Sequence, residues 1–234
     1  MRVHTYPPLI EGILIRRYQR FFAEIKIKNG EIVVAHCPNT GSMTGVCIPG
    51  NRVFLSQSNN PKRKLLYTWE IIEVDGELVG INTALPNNII GKMIHNHLIP
   101  ELEPYQTYKS EVPYGKEKSR IDFLLSGSLP DRYVEVKNTT WAEDNLALFP
   151  DTVTIRGQKH LRELIDRIDN NDQATIIYFI HRGDCDRFSP GYEADPEYGE
   201  ILRTAVNKSL QILACRFKVC PIGIDYLGLG EIKL

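Results

Sequence analysis

Cysteine is scarce and scattered in this chain. Its five cysteines, Cys37, Cys47, Cys185, Cys215 and Cys220, form no C-x-x-C pair, which excludes the common zinc-ribbon and thioredoxin-type signatures. An odd number spread over 234 residues does not read as a disulfide framework either. Free thiols in a reducing, cytoplasmic setting are the expectation. Long apolar runs are also missing: no stretch approaches the ~20 residues of a membrane span. The N-terminal end lacks a charged head followed by an apolar block, so no secretory signal is read. No excess of one charge is present: 28 Lys and Arg stand against 29 Asp and Glu, so the total charge does not advertise a polyanionic partner. The loop at 41–45 lacks the P-loop lysine, and Ser42 lacks the G-x-S-x-G elbow of a serine hydrolase. No helix-turn-helix reader, internal repeat or low-complexity tract is apparent.

What is there is an ordinary globular composition, 42% hydrophobic and 24% charged, enough for one large domain or two small ones. The balanced charge hides an asymmetry: residues 1–85 carry 10 basic against 7 acidic residues, leaving 18 against 22 in the remainder. Within the first part, alternating β-prone runs at 9–16, 21–28, 31–35, 52–56, 65–74 and 78–81 are joined by turn signals such as Asn29-Gly30 and Asp75-Gly76. Several short strands in so short a span fit a small barrel of the oligonucleotide-binding (OB) type. Pro86-Asn87-Asn88 reads as a break before a short helix at 89–98. Strands are then expected at 108–113, 119–125 and 133–140, a helix at 154–168, a strand at 175–181, a helix opening at Asp195-Pro196, and strands at 212–219 and 222–226. That order implies an α/β domain with a mixed sheet. The expected division is 1–85 and 86–234.

Two of these strands carry acids where a strand should be buried. One reads Ser119-Arg120-Ile121-Asp122-Phe123-Leu124-Leu125, the other Tyr133-Val134-Glu135-Val136-Lys137-Asn138-Thr139-Thr140. The link 126–132 contains Gly and Pro and suits a hairpin turn, which would bring Asp122 and Glu135 together. Glu135 and Lys137, two apart, share a strand face. Two carboxylates and an ammonium on one sheet face suit a divalent-cation phosphodiesterase site, because hard oxygen ligands fit Mg²⁺. On its own, however, D…E-x-K recurs widely, and Glu135 with Lys137 also reads as a surface ion pair of little energetic weight.

Further short runs accompany this pair: Pro38-Asn39-Thr40-Gly41-Ser42-Met43, Asn60-Pro61-Lys62-Arg63-Lys64-Leu65, Phe149-Pro150-Asp151 and Arg156-Gly157-Gln158-Lys159-His160-Leu161. In this order, over nearly the full chain, the set resembles the sugar fermentation stimulation protein A family. The resemblance implies an N-terminal OB-like barrel, a C-terminal domain related to PD-(D/E)xK nucleases, and DNA binding linked to the control of sugar (maltose) utilisation. It also implies Asp122, Glu135 and Lys137 in the catalytic positions, with Asp122 and Glu135 holding Mg²⁺ or Mn²⁺. Ile121 stands where the motif has proline. Glu111 and Glu101 are the candidates for a third ligand. Glu111 is preferred because its strand should neighbour that of Asp122.

Arg156 and Lys159 are candidates to grip phosphate, with His160 a possible base. The alternative is a solvated helix face on which Glu163 and Asp166 are ion-pair partners. Asp151 reads as a turn or helix-entry residue, with a role near the metal as the lesser alternative. In the barrel, Lys62, Arg63 and Lys64 form the densest positive run. Arg16, Arg17 and Arg20, interleaved with Tyr18 and Phe21, make a second basic and aromatic patch of the kind that contacts nucleic-acid backbone and stacks on bases. The expected partner is therefore nucleic acid, DNA first, bound with little sequence preference. An active Mg²⁺- or Mn²⁺-dependent nuclease and a catalytically silent scaffold for a protein partner are the rival expectations.

Overall fold

Asn29 and Gly30 turn the chain back on itself: Gly30 adopts φ +88, and Asn29 Oδ1 accepts from the Glu31 amide at 3.0 Å. This hairpin is one corner of the N-terminal unit of the computed structural model, which describes residues 1–116, 119–127 and 129–234. Strand β1 (Arg2–Thr5) leaves to join a distant sheet. The next strands are β2 (Ile10–Tyr18), β3 (Phe22–Ile27), β4 (Ile32–His36), β5 (Arg52–Gln57) and β6 (Tyr67–Val74). They pair in the ring β2–β3–β4–β6–β5 and back to β2. This is the closed five-stranded, OB-like barrel the turn spacing predicts. Its interior is filled by alternating residues, among them Leu14, Ile25, Val33, Val53, Leu55 and Trp69. Strand β7 (Glu77–Gly80) pairs with β6 outside the ring.

Helix α1 (Leu85–His95) follows almost at once. The expected break at Pro86-Asn87-Asn88 is instead its first turn, because a proline at the start of a helix withholds an N–H that has no intrahelical acceptor anyway. The consequence is local and large: Asn87 is placed on a helix face. Beyond it run β8 (Thr107–Tyr114), β9 (Ser119–Ser126), β10 (Arg132–Thr139), β11 (Trp141–Glu143), β12 (Leu146–Phe149), α2 (Ile155–Asp169), β13 (Gln173–Ile180), β14 (Arg187–Pro190), α3 (Pro196–Asn207), β15 (Gln211–Cys220), β16 (Gly223–Leu229) and β17 (Glu231–Ile232). The main sheet has seven strands in the order β1-β16-β15-β13-β10-β9-β8. Its centre, β15, β13 and β10, is parallel, and its flanks are antiparallel. It is the mixed sheet expected. The β9–β10 hairpin is also observed, although Ser128 within its link lies outside the described residues.

Strand periodicity sorts the side chains of this sheet between two faces. Val134, Val136, Ile177 and Phe179 pack against Ile89, Ile90 and Met93 of α1. Ile176, Tyr178 and Ile180 pack against Leu161 and Leu164 of α2 and Leu202 of α3. The first core also takes in Phe54 and Ile71 from the outside of the barrel, so one apolar mass spans barrel and sheet. Where β7 meets the end of β13, the Gly80 amide donates to the His181 carbonyl at 2.9 Å. A Cβ on Gly80 would stand 2.0 Å from His181 Nε2. The second sheet, β11-β12-β14-β17, has no counterpart in the sequence reading. Its strands span only two to four residues, too short for an alternation to register.

Candidate active site at the Asp122–Glu135 seam

Strands β9 and β10 are paired from Arg132↔Leu125 to Val134↔Phe123 and then part. The first residues beyond the split are Asp122 and Glu135. At the same level β8 carries Glu111, with a left-handed φ of +54 and no ladder pair between Ser110↔Phe123 and Val112↔Ile121. The β8–β9 hairpin changes face here. Phe123 and Leu125 lie in the α1-side core, whereas Ile121 lies in the α2-side core. Asp122 sits at the crossover, so its carboxylate turns into the opening between β9 and β10. There Oδ2 accepts from the Val136 amide at 2.7 Å, replacing a ladder bond. Oδ1 accepts from Asn87 Nδ2 of α1 at 2.6 Å. The sequence puts both acids on one sheet face; the twist at Glu111 moves Asp122 to the seam between the two.

Glu135 points to the α2 side and is 3% exposed. Its Oε1 accepts from Lys137 Nζ at 2.7 Å and from His160 Nδ1. Arg156 Nε donates to His160 Nε2 at 3.4 Å, so Nδ1 carries the hydrogen that faces Glu135. The other oxygen, Glu135 Oε2, is buried without a hydrogen-bond partner among the described residues, and so is the Tyr114 hydroxyl. A buried orphan carboxylate oxygen is costly unless something else completes it.

The electrostatics separate the two acids. Burial would push Glu135 up, but the Lys137 ammonium and the hydrogen bonds from His160 and Lys137 outweigh it and hold the carboxyl below its ordinary value. Asp122 is pushed up to about 7, first by desolvation and then by the Glu135 charge, against the opposing bonds from Val136 and Asn87. Tyr114 is pushed up too, by burial and then by Glu135, Glu163 and Asp122. One acid that stays charged beside one that titrates near neutrality is a pattern of functional sites.

The other sequence candidates are distributed as follows. Glu111 and Asp122 line one cleft of about 530 Å³ with Asn87, Lys92 and His95 of α1 and Tyr108 of β8. Glu101 lies in the turn Pro100–Leu102, where its carbonyl accepts from Gln211 at the start of β15, two strands away from β10. His160 is buried at the centre and Arg156 is exposed beside it, whereas Gln158 is buried against Asp195, the N-cap of α3. Lys159 is half-buried. Glu163, read as a partner on a solvated face, is 4% exposed. It lies one turn beyond His160 and abuts Gly115. Asp166 is paired at the surface with Lys116 and Arg167.

On the barrel, Lys62, Arg63 and Lys64 are exposed, and Arg63 donates to Thr68. Arg16 forks onto Glu24 at 2.8 and 2.7 Å. Arg17 is committed to backbone: its Nη2 donates to the carbonyls of Asn39 and Gly41 at 2.8 and 2.9 Å. Tyr114 was not singled out from the sequence, and Asn87 and Glu163 were read there only as part of a break and as a surface ion-pair partner.

Among the described residues, no three His, Cys, Asp or Glu side chains form a ready-made cage for a metal ion. A Mg²⁺-type site asks for less: one or two carboxylates, the remainder being water and phosphate oxygens. Glu135, through Oε2, and Asp122, with one bond on each oxygen, are the carboxylates that would serve it.

Comparison with known proteins gives the chain its place. The profile described as the sugar fermentation stimulation protein RE domain matches residues 84–223, and the SfsA N-terminal OB domain matches residues 15–81. The chain belongs to the sugar fermentation stimulation protein family. A sugar fermentation stimulation protein homolog of Cyanothece sp. is 56% identical over 236 residues, covering 99% of this chain and 98% of the relative. The homolog of Gloeobacter violaceus is 53% identical, over 98% and 97%. A solved structure, Pyrococcus furiosus SfsA in complex with Ca²⁺, superposes with a TM-score of 0.91 at 29% identity, covering 100% of both chains. No helix among the described residues is long and apolar enough to cross a membrane.

Proposed function

We propose that this family member binds nucleic acid along the α1–β8 cleft and hydrolyses its phosphodiester bonds with a divalent cation held by Asp122 and Glu135. The observation that carries this reading is the buried Glu135, whose Oε2 has no partner among the described residues, set beside an Asp122 held by Val136 and Asn87 where β9 and β10 part. The Ca²⁺ named for the Pyrococcus relative supports a hard-cation, oxygen-ligand chemistry. Mg²⁺ or Mn²⁺ bound there would lower the pKa of a water and offset charge on the phosphate.

The protein's own contributions follow from the geometry. Lys137 keeps Glu135 ionised. From a part-buried position, Lys137 presents an ammonium to an anionic substrate. His160, braced by Arg156, fixes the Glu135 rotamer. Val136 and Asn87 fix Asp122. Arg156, exposed at the start of α2, would meet phosphate. The basic run 62–64 extends the positive surface on the barrel, a fold that commonly meets oligonucleotides through its loops. A nucleic-acid-binding regulator of sugar utilisation without turnover is the second reading. It is favoured by the relatives' name and by Lys137 and His160 already saturating one Glu135 oxygen.

The deciding experiment incubates the purified protein with single- and double-stranded DNA and RNA in Mg²⁺, Mn²⁺ or EDTA. Cleavage that requires the metal, and is lost in Asp122→Asn and Glu135→Gln proteins that remain folded, is the expected result. Retention of metal-dependent cleavage in both variants, or no cleavage of any substrate, would defeat the hydrolytic reading. Salt-sensitive binding in the absence of cleavage would select the second.

A further inference from the structure

Two sequence runs that the carboxylate site leaves unused meet each other across the two lobes. Ser42 Oγ donates to Asp151 Oδ2 at 2.9 Å, the Thr44 amide to the same oxygen at 3.2 Å, and Thr44 Oγ1 to the Asp151 carbonyl at 3.1 Å. The barrel loop that carries these residues is tied down twice more, by Arg17 on the Asn39 and Gly41 carbonyls and by Thr83 Oγ1 on the Pro38 carbonyl at 2.8 Å. Under the loop is a chamber of about 230 Å³, lined by Asn39, Thr83, Asn138, Thr140, Trp141 and Phe149 among others.

We infer that this chamber receives one unpaired nucleobase of the strand whose phosphate lies at Asp122. The inference rests on the phosphodiester reading above. Four observations support it. First, position: Thr83 lines the chamber, and Asn87, one turn along, holds Asp122 and lines the cleft, so the seam lies between the two cavities. Second, size: 230 Å³ is below the ~300–1,000 Å³ of sites for drug-sized ligands and suits one planar heterocycle, whereas a duplex cannot enter. Third, chemistry: the walls combine indole and phenyl rings with carboxamides. Asn138 Oδ1 is engaged by His181 and Asn39 Oδ1 by the Gly41 amide. No protein acceptor is recorded among the described residues for the Nδ2 donors of either asparagine or for Trp141 Nε1. Aromatic walls plus edge donors are how proteins hold splayed or flipped bases. Fourth, field: the N-termini of α1 and α2 both begin at this chamber, which favours the flanking phosphates. The substrate is then single-stranded nucleic acid, or a duplex with an extruded base.

Tryptophan fluorescence tests this directly. The chain has two tryptophans; Trp69 is fully buried in the barrel core and Trp141 lines the chamber. A short oligothymidylate, the same oligomer with abasic residues, thymidine monophosphate and maltose are titrated in Ca²⁺ into the wild-type protein and into Trp141→Leu. The expected result is quenching by oligothymidylate and binding about 5- to 100-fold weaker for the abasic oligomer, the difference vanishing in Trp141→Leu. Equal binding of both oligomers without quenching overturns the chamber, and metal-dependent cleavage in the same preparation leaves the hydrolytic reading standing. Quenching with the base preference but without cleavage upholds the chamber and removes the hydrolytic reading. Quenching by maltose and not by nucleotides overturns the nucleobase assignment. The comparison of oligomers needs no variant, so a poorly folded Trp141→Leu protein does not blunt it.

Discussion

Replacing Asp122 by asparagine should stabilise the protein above neutral pH. Asp122 has an ordinary value of 3.8 and is pushed up to about 7 in the fold. Between those two values the folded state holds a proton that the unfolded state has released, so stability falls as pH rises through the window and the loss is complete above about 7. The displacement corresponds to about 4 kcal/mol. Asp122 is only partly enclosed, and screening reduces this to roughly 2–4 kcal/mol. The substitution removes that cost without orphaning a donor. One atom of the new amide accepts from Val136, and its NH₂ faces Asn87, whose own amide flips to present oxygen. At about 2–4 °C per kcal/mol for a chain of this size, Asp122→Asn should melt roughly 5–15 °C above wild type at pH 8 in EDTA and converge with it near pH 4. Mn²⁺ should raise the melting point of the wild type only. A variant that melts at or below wild type at pH 8, with a parallel pH profile, would refute the reasoning.

Lys137→Met should act in the opposite sense. It leaves the buried Glu135 carboxylate to His160 alone, a loss of about 3–5 kcal/mol at pH 8 that shrinks toward pH 5 as Glu135 takes up a proton. Urea melts at both pH values measure it, and adding Glu135→Gln should restore most of the loss. Substituting Lys62, Arg63 and Lys64 together by alanine should lower the log–log salt slope of single-strand binding by about 2, with a stability change under about 1 kcal/mol. Fluorescence anisotropy across a salt series checks this. Gly80→Ala should cost about 1–3 kcal/mol or more by overpacking, since its Cβ would meet the His181 ring at 2.0 Å. Thermal unfolding provides the number.

Much of the fold was legible in the sequence, because the barrel strands and β10 alternate in long enough runs, β13 is a continuous apolar run, and the Asn-Gly and Asp-Gly turns mark the barrel corners. The D…E-x-K core of the site was legible for the same reason: in Val134–Glu135–Val136–Lys137 the period of two alone assigns the faces. The parts that escaped did so for identifiable reasons. Asn87 was hidden because Pro-Asn-Asn looks the same in a linker and in a first helical turn. The displacement of Asp122 to the seam follows from a left-handed Glu111, and a glutamate carries no mark of that conformation. Glu163 and Asp166 read alike, yet one is buried beside Gly115 at the end of β8 and the other pairs with Lys116 and Arg167 at the surface. Arg16 and Arg17 are adjacent and identical in type. One pairs across the hairpin and the other fastens a loop 22 residues away in sequence.

The contact of Gly80 with His181 has a consequence for how this molecule can be dissected. A weld between a barrel strand and the central sheet, backed by Phe54 and Ile71 in a shared apolar mass, leaves no clean cut near residues 81–84. Either half produced alone would bare that apolar surface to water.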